Sequence, residues 1–162
     1  MPMITPSNAD RDFMRLALTE AQTSYERGSI PVGTVIVRGD AVVASGRNRS
    51  LEINDPTSHG ETDAVRNLGQ QPTYGDLTLY TTLSPCMMCT GTMLFLGIPK
   101  VVIGDRETYP GDVAFLLARG MDVALLDDPD CIALMRRFIA ERADVWQRIT
   151  SGDRSDHRAG SR

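Results

Sequence analysis

The chain has 162 residues, 41% of them hydrophobic, with a formal net charge of −4 and a pI near 5.1. That is enough apolar sequence for one domain with its own core. The acidic balance argues against nucleic acid as a partner, because polyanion binding selects basic stripes.

No basic segment followed by an apolar run opens the chain, and no apolar stretch approaches bilayer length. The sequence therefore reads as soluble and cytoplasmic, with no membrane partner and a small-molecule substrate. Residues 1–8 contain Pro2 and Pro6 and no periodic pattern, and are expected to be flexible. Ser7-Asn8-Ala9-Asp10 signals the cap of a helix running to about Arg27. Its inward face would carry Phe13, Leu16, Ala17, Ala21 and Tyr25, and Gly28 would stop it. Two β-rich runs, Ile30 to Arg38 and Ala41 to Gly46, flank Gly39-Asp40, the signature of a tight hairpin. Gly33 marks either a close backbone approach or a bulge at the strand start.

After a polar loop from Arg47 to Thr57, a short helix is expected from about Ser58 to Leu68, capped by Thr57 or Ser58. Leu77 to Leu83 reads as a strand. A helix then runs from Cys86 to about Leu96 and is apolar almost all round, so it calls for cover on both sides, from the sheet and from a second subunit. Its methionines read as packing residues. Lys100 to Gly104 reads as a buried strand, Gly111 to Arg119 as a helix and Met121 to Leu126 as a strand. Asp127-Asp128-Pro129-Asp130 caps a final helix to about Ile149, with Leu134, Phe138 and Val145 inward. Strands alternating with helices predict a three-layer α/β/α sandwich around a mixed five-stranded sheet that begins with an antiparallel pair. The domain spans residues 9–149. The polar tail 150–162, which contains His157, is expected to be disordered.

Two thiols three apart, Cys86 and Cys89, sit at a helix start, where unpaired amides and the helix dipole favour thiolates. Such thiolates bind zinc. His59 is the histidine outside the tail and carries Glu61 two positions on. A catalytic zinc site keeps three protein ligands and leaves the fourth position to water, whereas a structural site needs a fourth ligand, here Cys131 or a carboxylate. A thioredoxin-like redox pair is the third reading of Cys-x-x-Cys. Three cysteines, an odd number, suit a reducing compartment, and Cys131 reads as a small buried apolar residue.

His59-Gly60-Glu61 followed by Ser84-Pro85-Cys86-Met87-Met88-Cys89 has the H-x-E…P-C-x-x-C form of the zinc deaminases. Within that superfamily the chain resembles the fungal-type cytosine deaminases and their bacterial relatives. The likeness runs through Pro31-Val32-Gly33, Gly46-Arg47-Asn48, the run from Leu79 to Cys86, Cys89-Thr90-Gly91, Gly97-Ile98-Pro99 and the stretch from Phe138 to Arg142. It covers nearly everything from residue 9 to Trp146.

The resemblance implies one zinc ion held by His59, Cys86 and Cys89, with a bound water of lowered pKa as the nucleophile and Glu61 as the proton carrier. Ligand type alone also admits iron. It further implies that Asn48, helped by the Gly60 amide, reads the ring edge away from the amine. Val32, Ser84, Tyr109 and Trp146 would complete the substrate pocket, and the assembly would be a homodimer. The implied reaction takes cytosine to uracil and ammonia. Within the same chemistry stand guanine or another aminopurine, isocytosine, an aminotriazine, creatinine and tRNA adenosine; the tRNA enzymes typically show His-Ala-Glu. A non-catalytic zinc-binding domain is the reading from another class. One departure bears on the substrate: past Trp146 the fungal enzymes carry acidic residues, one of which contacts the amine side, where this chain has Gln147, Arg148 and Ile149.

Overall fold

Alternation along the first strand sets the layers. A computed structural model describes residues 2–154. In β1 (Gly33–Arg38) Val35 and Val37 pack with Met14 and Ala17 of α1 (Asn8–Glu26), while Ile36 points to the other face among Ala64, Leu79 and Met93. Both faces of the sheet are therefore covered, which is why its central strands read as continuous apolar runs. The remaining elements are β2 (Ala41–Arg47), α2 (Gly60–Leu68), β3 (Leu77–Leu83), α3 (Met87–Leu96), β4 (Lys100–Asp105), α4 (Val113–Ala118), β5 (Asp122–Leu125), α5 (Pro129–Glu141) and α6 (Ala143–Thr150). The strand order is β2-β1-β3-β4-β5. β1 is antiparallel to β2 and β3, and β3, β4 and β5 are parallel. This is the mixed five-stranded α/β sheet the sequence predicts.

Two glycines let helices sit directly on the strands. A Cβ at Gly33 would lie 2.0 Å from the Ala17 carbonyl oxygen of α1, and one at Gly46 would lie 2.1 Å from the Ala64 amide of α2. Gly33 is thus a close approach; the register shift in β1 falls between Ile36 and Val37 instead. The inward face of α1 is Met14, Ala17, Ala21 and Ser24, a helical i, i+3, i+7, i+10 set, so Leu16 lies on the solvent side.

One N-terminal residue reaches the sheet. Ile4 pairs in parallel with Ala124, its amide donating to the Val123 carbonyl at 2.8 Å. The final helix also differs from expectation. It breaks at Arg142 (φ −131°, ψ 44°) into α5 and α6, which lets Val145 and Trp146 pack against Ile30, Val32, Leu83 and Tyr109. Met135, rather than Leu134, is the fully buried residue of that turn. Of the tail expected to be disordered, residue 150 closes α6 and 151–154 follow it; His157 lies outside the described residues.

The cap of α1 is also a tertiary tie. The Asp10 carboxylate accepts from the Ser7 amide (2.8 Å), the Tyr80 hydroxyl (2.8 Å) and Lys100 Nζ (3.0 Å), linking α1 to β3 and β4. Burial pushes its pKa up, but these hydrogen bonds outweigh burial and hold it below the ordinary carboxylate value. A depressed folded-state pKa contributes stability above the unfolded pKa, near 4, and that contribution is lost as pH falls through the folded value. Asp10→Asn is expected to cost about 2 kcal/mol at neutral pH and to flatten the acid limb of stability below about pH 4. Denaturant unfolding from pH 2 to 7 checks it.

Candidate active site

Two helix starts converge at the C-terminal end of β3. His59 and Cys86 are the N-cap residues of α2 and α3, both with extended backbones (ψ 168° and 171°), so their side chains leave the helix axes. α2 begins two residues later than its sequence suggests, because the Thr62 hydroxyl accepts the His59 amide at 3.0 Å and makes His59 the boundary. Cys89 sits in the first turn of α3.

The three donors form a tight triangle. Cys86 Sγ lies 3.5 Å from His59 Nδ1 and 3.7 Å from Cys89 Sγ, and Cys89 Sγ lies 3.6 Å from His59 Nδ1. A tetrahedral zinc ion, with Zn–S about 2.3 Å and Zn–N about 2.0 Å, separates two sulfurs by about 3.8 Å and sulfur from nitrogen by about 3.6 Å. The spacing fits zinc without rearrangement. Among the described residues, His59, Cys86 and Cys89 are the group of this kind, and no fourth protein donor joins it there. Cys131 packs in the opposite layer against Met14 and Gly104, which removes it as a fourth ligand of a structural site.

Glu61 stands beside the triangle and outside it. One carboxylate oxygen accepts from the Thr81 hydroxyl at 3.2 Å, and the other lies 3.3 Å from Cys89 Sγ. Its pKa is raised by burial and by the charge on Cys86. The Cys89 hydrogen bond, working against burial and helped by His59, pulls the Cys86 thiol down to about 4. Cys89, whose proton is held between that thiolate, a buried environment and Glu61, is pushed up. Burial works to lower the His59 pKa, but the Cys86 hydrogen bond and the charges of Cys86 and Glu61 outweigh it and raise it. Acidic groups crowded at this spacing favour a cation among them.

These groups open into a cavity of about 690 Å³. Val32, Asn48, Ser84, Tyr109 and Trp146 all line it with His59, Glu61 and Cys86. Tyr109 and Trp146 meet edge to face at 6.2 Å. Ser84 donates to the Pro110 carbonyl at 3.0 Å. Gly60 lies beneath the floor rather than on the lining, packed so closely on Thr34 and Val32 that a Cβ would come within 2.9 Å of the Thr34 hydroxyl.

Some lining residues are not apparent from sequence. Met87 and Met88, expected as packing, are 39% and 36% exposed and form part of the cavity wall. Ile149, Thr150 and Asp153 also line it, and the Tyr109 hydroxyl donates to Asp153 at 2.6 Å. A polar tail gives no signal for this placement. Thr81 was readable only as one of several strand threonines, and nothing in the sequence ties it to Glu61.

Residues 7–105 match the family model described as the cytidine and deoxycytidylate deaminase zinc-binding region. The chain belongs to this deaminase family. The deaminase is 40% identical over 140 residues to a cytosine deaminase of Candida albicans, covering 85% of this chain and 93% of that one. It is similar to a structure from work on A-to-I editing by tRNA:A34 deaminases (31% identity, TM-score 0.68, 76% of this chain and 99% of that one). It is also similar to the guanine deaminase of Bacillus subtilis (30% identity, TM-score 0.56, 69% and 70%). As a member of the family the deaminase is a hydrolase acting on the carbon–nitrogen bond of a cyclic amidine, with His59, Cys86 and Cys89 positioned to bind one zinc ion. Among the described residues no helix is long and apolar enough to cross a membrane.

Proposed function

We propose that the chain deaminates a free nucleobase, with cytosine and water giving uracil and ammonia. The observation that carries this reading is the roof. α6 and the residues after it bring Trp146, Ile149, Thr150 and Asp153 onto the cavity that holds His59, Glu61 and Asn48, a lining that supports a small flat ring as the substrate. The likeness to the Candida albicans cytosine deaminase extends through 140 residues and supports the same substrate class. The net charge of −4 favours a small substrate over RNA.

In this proposal zinc, when bound, supplies a water acidified towards neutrality. Glu61 would take one proton from the attacking water as its oxygen bonds to the amine-bearing carbon and give it to the adjacent ring nitrogen, then carry the second proton to the amine nitrogen as the C–N bond breaks and ammonia leaves. The Thr81 hydrogen bond keeps the carboxylate aimed, and burial raises its pKa. Val32 and Trp146 supply apolar and aromatic surface to the ring, and Asn48 meets the edge away from the amine.

Purified zinc-loaded protein should release ammonia from cytosine faster than from isocytosine, guanine, creatinine or an aminotriazine. It should leave cytidine and a tRNA anticodon stem-loop unchanged. Turnover of the stem-loop, or of guanine alone, would reassign the substrate.

α3 leaves Phe95 89% exposed beside partly exposed Met87 and Met88. We read this apolar face as the contact of a homodimer. Sedimentation should give twice 17.8 kDa for the wild type and 17.8 kDa for Phe95→Glu. A monomeric wild type at micromolar concentration contradicts the assignment. All three cysteines are free, which supports a reducing, cytoplasmic setting.

A further inference from the structure

The Asn48 side chain is held by a network that the zinc chemistry does not require. Its Oδ1 accepts from the Ser29 hydroxyl at 2.9 Å, the Ser50 amide at 3.0 Å and the Ser50 hydroxyl at 2.8 Å. A backbone N–H can only donate, so the atom facing Ser50 is the oxygen, and the amide cannot be turned over without setting donor against donor. The backbone is pinned as well. The Asn48 amide donates to the Val32 carbonyl at 2.8 Å, and its carbonyl accepts from the Ser24 hydroxyl. Ser29 is fully buried, and its oxygen in turn accepts the Leu51 amide at 3.3 Å, which fixes the loop after β2.

With the oxygen saturated, the Nδ2 group is left. Asn48 is 3% exposed and lines the cavity, and among the described residues its Nδ2 has no protein partner. A nearly buried NH2 facing a cavity discriminates by what it is left without: a ring lacking an acceptor there leaves it unpaired, and a ring presenting N–H opposes it.

We propose that Ser29 and Ser50 are positioning residues that lock the Asn48 amide with its NH2 towards the cavity, so that the site selects rings carrying a hydrogen-bond acceptor, such as a carbonyl oxygen, on that edge. The choice of ring rests on the nucleobase reading above. Ser29 lies off the cavity lining, while Ser50 lines the cavity with its hydroxyl turned to Asn48 Oδ1; in this proposal both act through Asn48.

The test uses zinc-loaded full-length protein and two rings that differ by one carbonyl oxygen, uracil and 4(3H)-pyrimidinone, with affinities measured by calorimetry. Wild type should bind uracil about tenfold more tightly. The preference should fall to about twofold or less in Ser29→Ala/Ser50→Ala and in Asn48→Ala, with no further loss when the three substitutions are combined. Melting temperatures are followed in parallel, since a purely structural role would weaken both rings alike and keep the ratio. A ratio unchanged in the serine variant overturns the proposal, as does a wild type that turns over cytosine yet shows no preference. A preference that collapses in the variant, in a protein with no cytosine turnover, keeps the proposal and overturns the substrate reading. A wild type that binds neither ring overturns both.

Discussion

Glu61→Gln is expected to lower ammonia release by about 10³-fold or more, because a positioned general acid–base contributes up to roughly 10⁴, while zinc content and melting temperature stay near wild type. Glutamine keeps the shape and can still accept the Thr81 hydroxyl that Glu61 accepts at 3.2 Å. It cannot take up a proton. The carboxylate stands outside the His59–Cys86–Cys89 triangle, so its loss removes no metal donor. It also removes a buried charge 3.3 Å from Cys89, which makes a fall in stability unexpected. The decisive comparison is rate against zinc stoichiometry on one preparation. A glutamine variant within tenfold of wild type would take the proton transfers away from Glu61.

Cys86→Ala acts on the other half of the site. Two of three donors remain, and the expected zinc stoichiometry drops from about one to below a tenth, with activity lost in proportion. Stability should fall too. A ligand bound only by the folded state, at a thousand times its dissociation constant, contributes about 4 kcal/mol. Chelation should therefore destabilise the wild type by about that much and leave Cys86→Ala unmoved. Cys89 and Glu61 lie within 3.3 Å of each other in a buried site, and without a cation they meet as like-charged or proton-sharing groups. Differential scanning calorimetry with and without chelator, alongside metal analysis, reads both effects. Equal chelator sensitivity in the two proteins would place the stabilising metal elsewhere.

The layers and the zinc donors were legible because short-range chemistry encodes them. Val35, Ile36 and Val37 alternate between two buried faces, and Gly39-Asp40 can hardly be anything but a turn. His59, Cys86 and Cys89 carry the deaminase spacing, and the structure brings them within one ion's reach. What escaped depends on distant contacts or on backbone geometry with no residue signature. Phe138 and Val145 are seven positions apart and keep helical period through Arg142, with neither proline nor glycine to mark the break between α5 and α6. Ile4 is one of two apolar residues between Pro2 and Pro6, and the edge of β5 gives it a partner. Asp153 reads as tail until Tyr109 receives it. Ser29 and Ser50 are ordinary loop serines in one dimension and converge on Asn48 in three.

The measurement that bears most directly on the account is the product balance from cytosine, with uracil and ammonia quantified together on zinc-loaded protein before and after chelation. One uracil per ammonia, abolished by chelator and restored by zinc, is the predicted result. Protein that carries one zinc per chain and forms no uracil from cytosine would contradict it.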